Sequence, residues 1–165
     1  MRAVVQRVTR ARVTIDGETS GETSGEIAAG LLVYIGVAEG DGEDEARWLA
    51  TKIARLRIFD NDAGQFDRSL LDSGGAALVV SQFTLLAETR KGRRPSFTAA
   101  AAPVKAEAVL DELRRGLEAA GLEVETGEFG AHMEVESLND GPVTILLDSG
   151  DRKRPRRRKE GLERS

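Results

Sequence analysis

The first residues alternate between apolar and polar side chains. In the segment RAVVQRVTRARVTID, residues 2–16, Ala3, Val5 and Arg7 fall on one side and Val4, Gln6 and Val8 on the other. This alternation predicts one or two strands of a half-buried sheet. The next segment, GETSGETSGE at 17–26, repeats a small polar unit and predicts a lengthened hairpin loop. Residues 27–38, IAAGLLVYIGVA, then predict a buried strand.

Two segments have apolar residues at the spacing of an amphipathic helix. The first follows the acidic stretch EGDGED and has apolar residues at Trp48, Leu49, Ile53 and Leu56. The second runs from Pro103 to Ala120, has one apolar face, and ends before Gly121. We therefore expect two main helices.

The remaining segments predict short strands and loops. FDNDAGQFD carries turn residues between two short strands, AALVV is a second apolar strand, and AETRKGRRPSF is a loop. The segments LEVETGEF, MEVESL and VTILLDS are expected to be strands. Two helices among about seven strands predict a single α/β domain with a mixed sheet.

Composition and charge divide the chain in two. Residues 1–150 hold 16 Lys or Arg and 25 Asp or Glu, whereas residues 151–165 hold eight Lys or Arg and three Asp or Glu. We expect a folded domain at 1–150 and a basic, disordered tail at 151–165, which is either simply solvated or a phosphate-binding arm. The chain has no Cys, its N-terminus resembles a strand and not a signal peptide, and its longest apolar run is too short for a membrane helix. A soluble cytoplasmic protein is the expectation.

Few catalytic groups are available. His132 is the only His, and a lone His is more often a surface or packing residue than a general base. No metal-ligand cluster or nucleotide-binding glycine motif is present, so we expect neither a metal nor a cofactor. Ser81, Gln82 and Thr84 follow an apolar strand, where hydroxyls, an amide and backbone N–H groups could hold an oxyanion. The alternative is a helix cap or turn. Under either interpretation Phe83 and Leu85 are expected to be core residues.

Two further segments allow a structural and a functional interpretation. Asn139, Asp140, Gly141 and Pro142 are all turn formers, and they predict a hairpin turn between MEVESL and VTILL. The four cations from Arg90 to Arg94 predict a solvated loop, or a surface for a polyanionic substrate.

Six segments in order resemble the D-aminoacyl-tRNA deacylases, the D-Tyr-tRNA deacylase family. They are MRAVVQRV, LRIFD, SLLD, VVSQFTLLAETRKGRRPSF, VETGEFGAHM and NDGPVTILLDS, and the resemblance runs from Met1 to about Ser149. It implies a barrel-like core and a homodimer with its active site at the subunit interface. The implied substrate is charged tRNA, from which the enzyme removes a D-amino acid, or glycine mischarged on the alanine tRNA.

The resemblance also implies roles for particular residues. Ser81, Gln82 and Thr84 would be catalytic, and the substrate-binding residues would be Phe83, Gly141, Pro142, Phe129, Met133 and Arg7. In the family the Gly-Pro bond is cis, enters the partner's pocket and excludes L-residues sterically. The residue corresponding to Arg7 helps to hold that loop. The 2′-hydroxyl of the tRNA assists hydrolysis, which would explain why the chain needs no general base.

Departures from the family leave alternatives. The GETS duplication, the polar segment HMEVESLND and the tail after residue 150 differ from the usual pattern. A nucleic-acid-binding module without catalysis would use the basic loop and the tail. A small-molecule esterase is less favoured because no activated nucleophile can be named.

Overall fold

A computed structural model describes residues 1–15 and 22–153. Its strands are β1 (Arg2–Ile15), β2 (Glu22–Ile27), β3 (Gly30–Gly36), β4 (Phe59–Asp60), β5 (Phe66–Arg68), β6 (Ala76–Ser81), β7 (Val124–Thr126) and β8 (Met133–Asp148). Its helices are α1 (Glu43–Arg55), α2 (Leu70–Ser73) and α3 (Pro103–Ala119), and 3₁₀ turns span Phe83–Leu86 and Ser149–Lys153.

Strand β1 organises a six-stranded mixed sheet. On one edge it pairs antiparallel with β3 through residues 2–8 and with β2 through residues 11–15, and on its other edge it pairs with β8 along most of its length. Strands β3, β6 and β7 are parallel neighbours. The sheet curves until β2 meets β7, where the Ser24 hydroxyl donates to the Thr126 carbonyl at 3.1 Å. The result is the barrel-like, nearly closed sheet that was expected.

The sheet is buried on both faces around β3 and β6, which explains why these strands are apolar at successive positions. On one face Leu31, Val33 and Ile35 pack beneath α1 and α3. On the other face Leu32 and Leu78 belong to a second apolar cluster that fills the curve of the sheet. The period-2 geometry of a strand assigns alternate residues to these two clusters.

Both long helices follow local sequence signals. Helix α1 has three acidic residues in its first turn and two basic residues in its last turn, as the helix dipole favours. Helix α3 has Pro103 at its first position and ends before Gly121, whose φ of +95° favours glycine. The two predicted helices, the short strands around FDNDAGQFD and the loop at AETRKGRRPSF are confirmed.

Of the one or two strands predicted at the start of the chain, the structure has one, β1. Two details of the sequence prediction are corrected. The predicted loop at 17–26 is partly β2, which begins at Glu22, and residues 16–21 lie outside the described residues. Strand β8 does not turn back at Gly141-Pro142 but continues along β1 with shifts in register, so the predicted hairpin is wrong.

The predicted tail lies almost wholly outside the described part of the chain. Residues 151–153 continue the last 3₁₀ turn, and Arg152 Nη2 lies 3.3 Å from Glu45 Oε1. Residues 154–165 are not described, so the disordered tail stays a prediction. Within the described ranges, no helix is long and apolar enough to cross a membrane.

Candidate active site

Residues Ser81, Gln82 and Phe83, here called the SQF segment, lie where the parallel strands end. Ser81 is the last residue of β6 and pairs with Ile35 of β3, and the Gln82 backbone N–H donates to the Ile35 carbonyl at 2.7 Å. The carboxyl edge of parallel strands is the usual place for a ligand site in an α/β sheet. The position of Ser81 and Gln82 therefore agrees with the functional interpretation of the sequence.

Thr84 lies one step further, in the 3₁₀ turn Phe83–Leu86. Its Oγ1 accepts a hydrogen bond from Gln82 Nε2 at 2.5 Å. The first internal bond of this turn uses the Leu85 N–H, so the N–H groups of Phe83 and Thr84 precede its hydrogen-bonded ladder. Arg2 Nη1 holds the same turn by donating to the Leu85 carbonyl at 3.2 Å. The segment thus offers two amides and two polar side chains, and Thr84 has an amide as its partner, not a base.

A cavity of about 700 Å³ opens beside this turn. Its size suits a small-molecule ligand or the end of a larger one. Phe83 is on its rim, 58% exposed, with its ring 5.1 Å from that of Phe97 in an edge-to-face contact. The prediction that Phe83 is a core residue is wrong, because the ring follows the end of the strand and packs on the rim.

The cavity brings together five of the predicted site residues: Ser81, Gln82, Phe83, Phe129 and Met133. Thr84 is bonded to the wall through Gln82 but does not line it, and Arg7, Gly141 and Pro142 lie elsewhere. The sequence did not indicate Phe97 or the alanines at 100–102, which also line the cavity. Of these residues only Phe97 could have been noticed in the sequence, as an aromatic residue between a basic loop and the start of a helix. His132 also lines the cavity, although the sequence gave it no role.

A smaller cavity of about 320 Å³ shares Ser81, Leu110 and Phe129 with the first. Its other walls are charged, and include Asp111 and Arg114. The hydrogen bond from Arg114, whose Nη2 lies 2.5 Å from Asp111 Oδ1, lowers the pKa of Asp111. Throughout the described ranges, no group of three His, Asp or Glu residues could hold a metal ion.

Arg7 joins three parts of the fold. It faces the same side of β1 as Ala3 and Val5, and it is only 7% exposed. Its Nη1 donates to the Ile58 carbonyl at 2.9 Å and to Asp60 Oδ2 at 3.1 Å. Its Nε lies 3.1 Å from Asp140 Oδ2 and donates to the Asp140 carbonyl at 3.3 Å. Arg7 therefore fixes the residue that precedes Gly141.

The segment from Asn139 to Thr144 forms a closed bulge in β8. Asn139 Oδ1 accepts from the Val143 N–H at 2.9 Å, and Asn139 Nδ2 donates to Thr144 Oγ1 at 3.0 Å. The peptide bond between Gly141 and Pro142 is cis, and both residues are exposed. Gly141 has a φ of +123°, and a Cβ there would lie 2.7 Å from the Val143 side chain. The bulge therefore requires glycine and presents its backbone outward.

The bulge and Ser81 lie apart on the sheet of one chain. The bulge lies opposite Arg7 and Val8, whereas Ser81 is level with Ala3 through its partner Ile35. Four residues along a strand are about 13 Å, and three strand spacings from β8 to β6 are about 14 Å, so the path between them along the sheet is roughly 19 Å. Gly141 and Pro142 are not among the residues that line the cavity.

The chain matches known proteins along nearly its whole length. The family model of D-Tyr-tRNA(Tyr) deacylase matches residues 4–148. A D-aminoacyl-tRNA deacylase of Roseiflexus castenholzii is 55% identical over 160 residues, 97% of this chain and 99% of that protein. One of Deinococcus radiodurans is 55% identical over 148 residues, 90% and 99% of the two chains.

Two solved structures share the fold of this chain. A c-Myc DNA unwinding element binding protein is 38% identical with a TM-score of 0.82, and the match covers 90% of this chain and 98% of that one. A probable eukaryotic D-amino acid tRNA deacylase is 17% identical with a TM-score of 0.77, covers 88% and 97% of the two chains, and shows the shared fold. The predicted resemblance is confirmed: this chain belongs to the D-Tyr-tRNA(Tyr) deacylase family.

Proposed function

We propose that this protein hydrolyses the ester that joins a D-amino acid to the terminal adenosine of tRNA. Deacylation of D-aminoacyl-tRNA is the activity named for its 55% identical relatives. The observation that supports the proposal for particular residues is a cavity lined by Ser81, Gln82 and Phe83 at the end of parallel strands. It offers hydrogen-bond donors to a developing oxyanion. We place the reaction in the cytoplasm, where tRNA is charged.

The mechanism uses orientation more than acid–base chemistry. An aminoacyl ester is already activated, so a site that holds it and stabilises the oxyanion supplies much of the rate. The N–H group of Phe83, which lines the cavity, is suited to that oxyanion, and Gln82 holds Thr84 Oγ1 in place behind the wall. Thr84 is a positioning residue in this scheme, because its recorded partner among the described residues is an amide that cannot accept its proton. The 2′-hydroxyl of the tRNA assists the attacking water.

Selection against L-residues is assigned to the bulge at Gly141-Pro142. Its exposed backbone would meet the Cα substituent of the amino acid and leave no room for an L side chain. Glycine has no side chain, so glycine mischarged on the alanine tRNA would also be hydrolysed. We assign the bulge to a second subunit, since Gly141 and Pro142 do not line the cavity of their own chain and lie roughly 19 Å from Ser81 along the sheet.

An open apolar face supports the homodimer. Val4 of β1 lies between Leu146 of β8 and Tyr34 of β3 on the face away from the helices. Leu146 is 77% exposed. Tyr34 is only half-buried, although this burial is enough to raise the pKa of its hydroxyl. Such a row of apolar side chains is an expected part of a subunit interface. A second copy would cover it and bring its bulge towards the cavity.

The direct test compares D-Tyr-tRNA and L-Tyr-tRNA with purified protein and no added metal. We expect rapid loss of the D-ester and a stable L-ester. Stability of both esters with a folded, dimeric protein would refute the proposed activity. Hydrolysis of both esters would retain the esterase and refute the assigned selection against L-residues.

A mixing experiment tests the site between subunits. A Gln82→Ala chain should have an impaired cavity, and an Asn139→Ala chain should have a loosened bulge that admits L-esters. Heterodimers of the two contain one intact cavity facing one intact bulge, so mixing should restore selectivity for the D-ester. If mixing leaves the relative rates on D- and L-esters at the average of the two parents, each chain uses its own bulge.

A nucleic-acid-binding module without catalysis is the second candidate. It is supported by the name of the 38% identical neighbour, a DNA unwinding element binding protein. Under this alternative the protein binds charged tRNA and leaves the D-ester intact, an outcome that the comparison of D- and L-esters records directly.

A further inference from the structure

We propose that residues 89–95, here called the cationic loop, bind the phosphate backbone of the RNA whose aminoacylated end enters the cavity. The proposal rests on the proposed function and adds the surface that recognises the rest of the substrate. It assigns to this loop a contact that depends on RNA phosphates and not on the amino acid.

The cationic loop is a projection with a fixed base. Glu88 and Ser96 exchange two backbone hydrogen bonds, of 2.8 Å and 3.0 Å, which join the two ends of the loop. Every residue from 89 to 95 is exposed, and Gly92 turns the chain with a φ of +75°. The side chains of this loop therefore point into solvent from a braced hairpin.

The charges of this loop are mostly unneutralised. Four of the five residues from Arg90 to Arg94 are Lys or Arg. Arg90 is paired with Glu88 at 2.6 Å, which lowers the pKa of that carboxyl. Among the described residues, no carboxylate lies within 4 Å of the cationic groups of Lys91, Arg93 and Arg94. Within the described part of the chain these three cations have no carboxylate partner, so they can meet an external anion.

The cationic loop differs in charge from the rest of the folded domain, which is acidic. Residues 1–150 carry 16 basic and 25 acidic residues, a net charge of −9. Residues 88–97 contribute four basic residues and one acidic residue, or +3, so the rest of that domain carries −12. A polyanion is repelled by most of this surface and attracted to the cationic loop.

Both ends of the cationic loop connect to the rim of the cavity. Phe97 follows Ser96 directly, lines the cavity and contacts Phe83. Arg93 and Arg94 are four and three residues from Phe97, so they lie within about 15 Å of it even if the chain is extended. An RNA strand that leaves the cavity passes this distance within a few nucleotides. Phosphates next to the esterified adenosine are therefore the expected ligands.

The test compares two double variants of the full-length chain that remove equal charge. Arg93→Ala/Arg94→Ala removes two cations of the loop, and Lys52→Ala/Arg55→Ala removes two exposed cations from α1. The salt dependence of binding is measured with uncharged tRNA, and hydrolysis is measured with D-Tyr-tRNA and with D-tyrosyl-adenosine, which has no phosphate.

We expect the loop variant to flatten the plot of log Kd against log salt by about 1.4, since each single-strand phosphate contact contributes about 0.7. Its loss of affinity between 50 and 200 mM salt would then be about 7-fold smaller than that of the wild type. The α1 variant should match the wild type, and all three proteins should hydrolyse D-tyrosyl-adenosine equally.

The outcomes separate this proposal from the proposed function. Equal salt slopes for the two double variants would refute the RNA contact and favour another partner, such as an acidic protein surface. Failure of the wild type on both D-esters, with a salt slope that still depends on the loop, would refute the hydrolase and retain the RNA contact.

Discussion

Replacement of Arg7 by Met tests how the bulge in β8 is held. Methionine keeps an apolar stem of similar reach and removes the guanidinium. The buried carbonyl of Ile58 would lose its 2.9 Å donor, at a cost of about 1–3 kcal/mol. The two ion pairs involve Asp60 and Asp140, which are 41% and 47% exposed, so each contributes only about 0.2–1 kcal/mol. We expect a total loss of about 1.4–5 kcal/mol of unfolding free energy.

Arg12→Ala is the matched control. Arg12 is on the same strand and pairs with Glu26, but both side chains are about half exposed, so its loss should cost about 0–1 kcal/mol. Urea and thermal denaturation at one protein concentration measure both variants, because assembly makes the melting temperature depend on concentration. For a chain of this length the Arg7 variant should melt about 3–20 °C lower.

The same variant also tests specificity. Arg7 touches Asp140, next to Gly141, and does not line the cavity. Arg7→Met should therefore raise hydrolysis of L-Tyr-tRNA relative to D-Tyr-tRNA while hydrolysis of the D-ester is retained below its melting temperature. An unchanged ratio of the two rates, or a stability loss equal to that of Arg12→Ala, would refute the reasoning.

Two further predictions concern the frame of the site. Leu113→Ala should cost about 2–5 kcal/mol because this side chain is fully buried between α3 and the rest of the core, whereas Val104→Ala on the same helix, at a position 84% exposed, should be nearly neutral in urea denaturation. Hydrogen bonds from the Ser69 hydroxyl and backbone lower the pKa of Asp72, so its carboxylate stabilises the fold above about pH 3.8 and this contribution is lost as the pH falls through the lowered value. The stability difference between the wild type and Asp72→Asn should therefore be present at pH 6 and shrink by pH 3, and a difference that does not change with pH would contradict this account.

The sequence predicted the location of the SQF segment because local signals were sufficient. AALVV is apolar on both faces, which indicates an interior strand, and the polar residues after it had to lie at the end of that strand. The two long helices were predictable for the same reason, since helical periodicity and end signals are local. Phe83 was misassigned because an aromatic residue after a buried strand can pack either inside or on a rim, and its contact with Phe97 spans a loop.

The contacts by which Arg7 holds the bulge could not be predicted from the spacing of residues in the sequence. The partners of Arg7 are 51, 53 and 133 residues away in sequence. The only local signal is a charged residue on the apolar side of β1, beside Ala3 and Val5. The hairpin prediction failed at Asn139 because turn formers also build a bulge, and the choice depends on pairing with β1, not on the turn itself.

The groups proposed for ester hydrolysis and those proposed for rejection of L-residues lie on different elements of the fold. The proposed donors for the ester lie in the turn that follows β6, and the group proposed to reject an L side chain lies in a bulge of β8. These elements are connected through β1 and β3, and Arg7 is attached to the bulge and not to the cavity. A change that loosens the bulge should therefore reduce selectivity before it reduces the rate on the D-ester. Since the two parts meet only between subunits in the proposed dimer, dissociation should remove selectivity as well, even where each cavity stays intact.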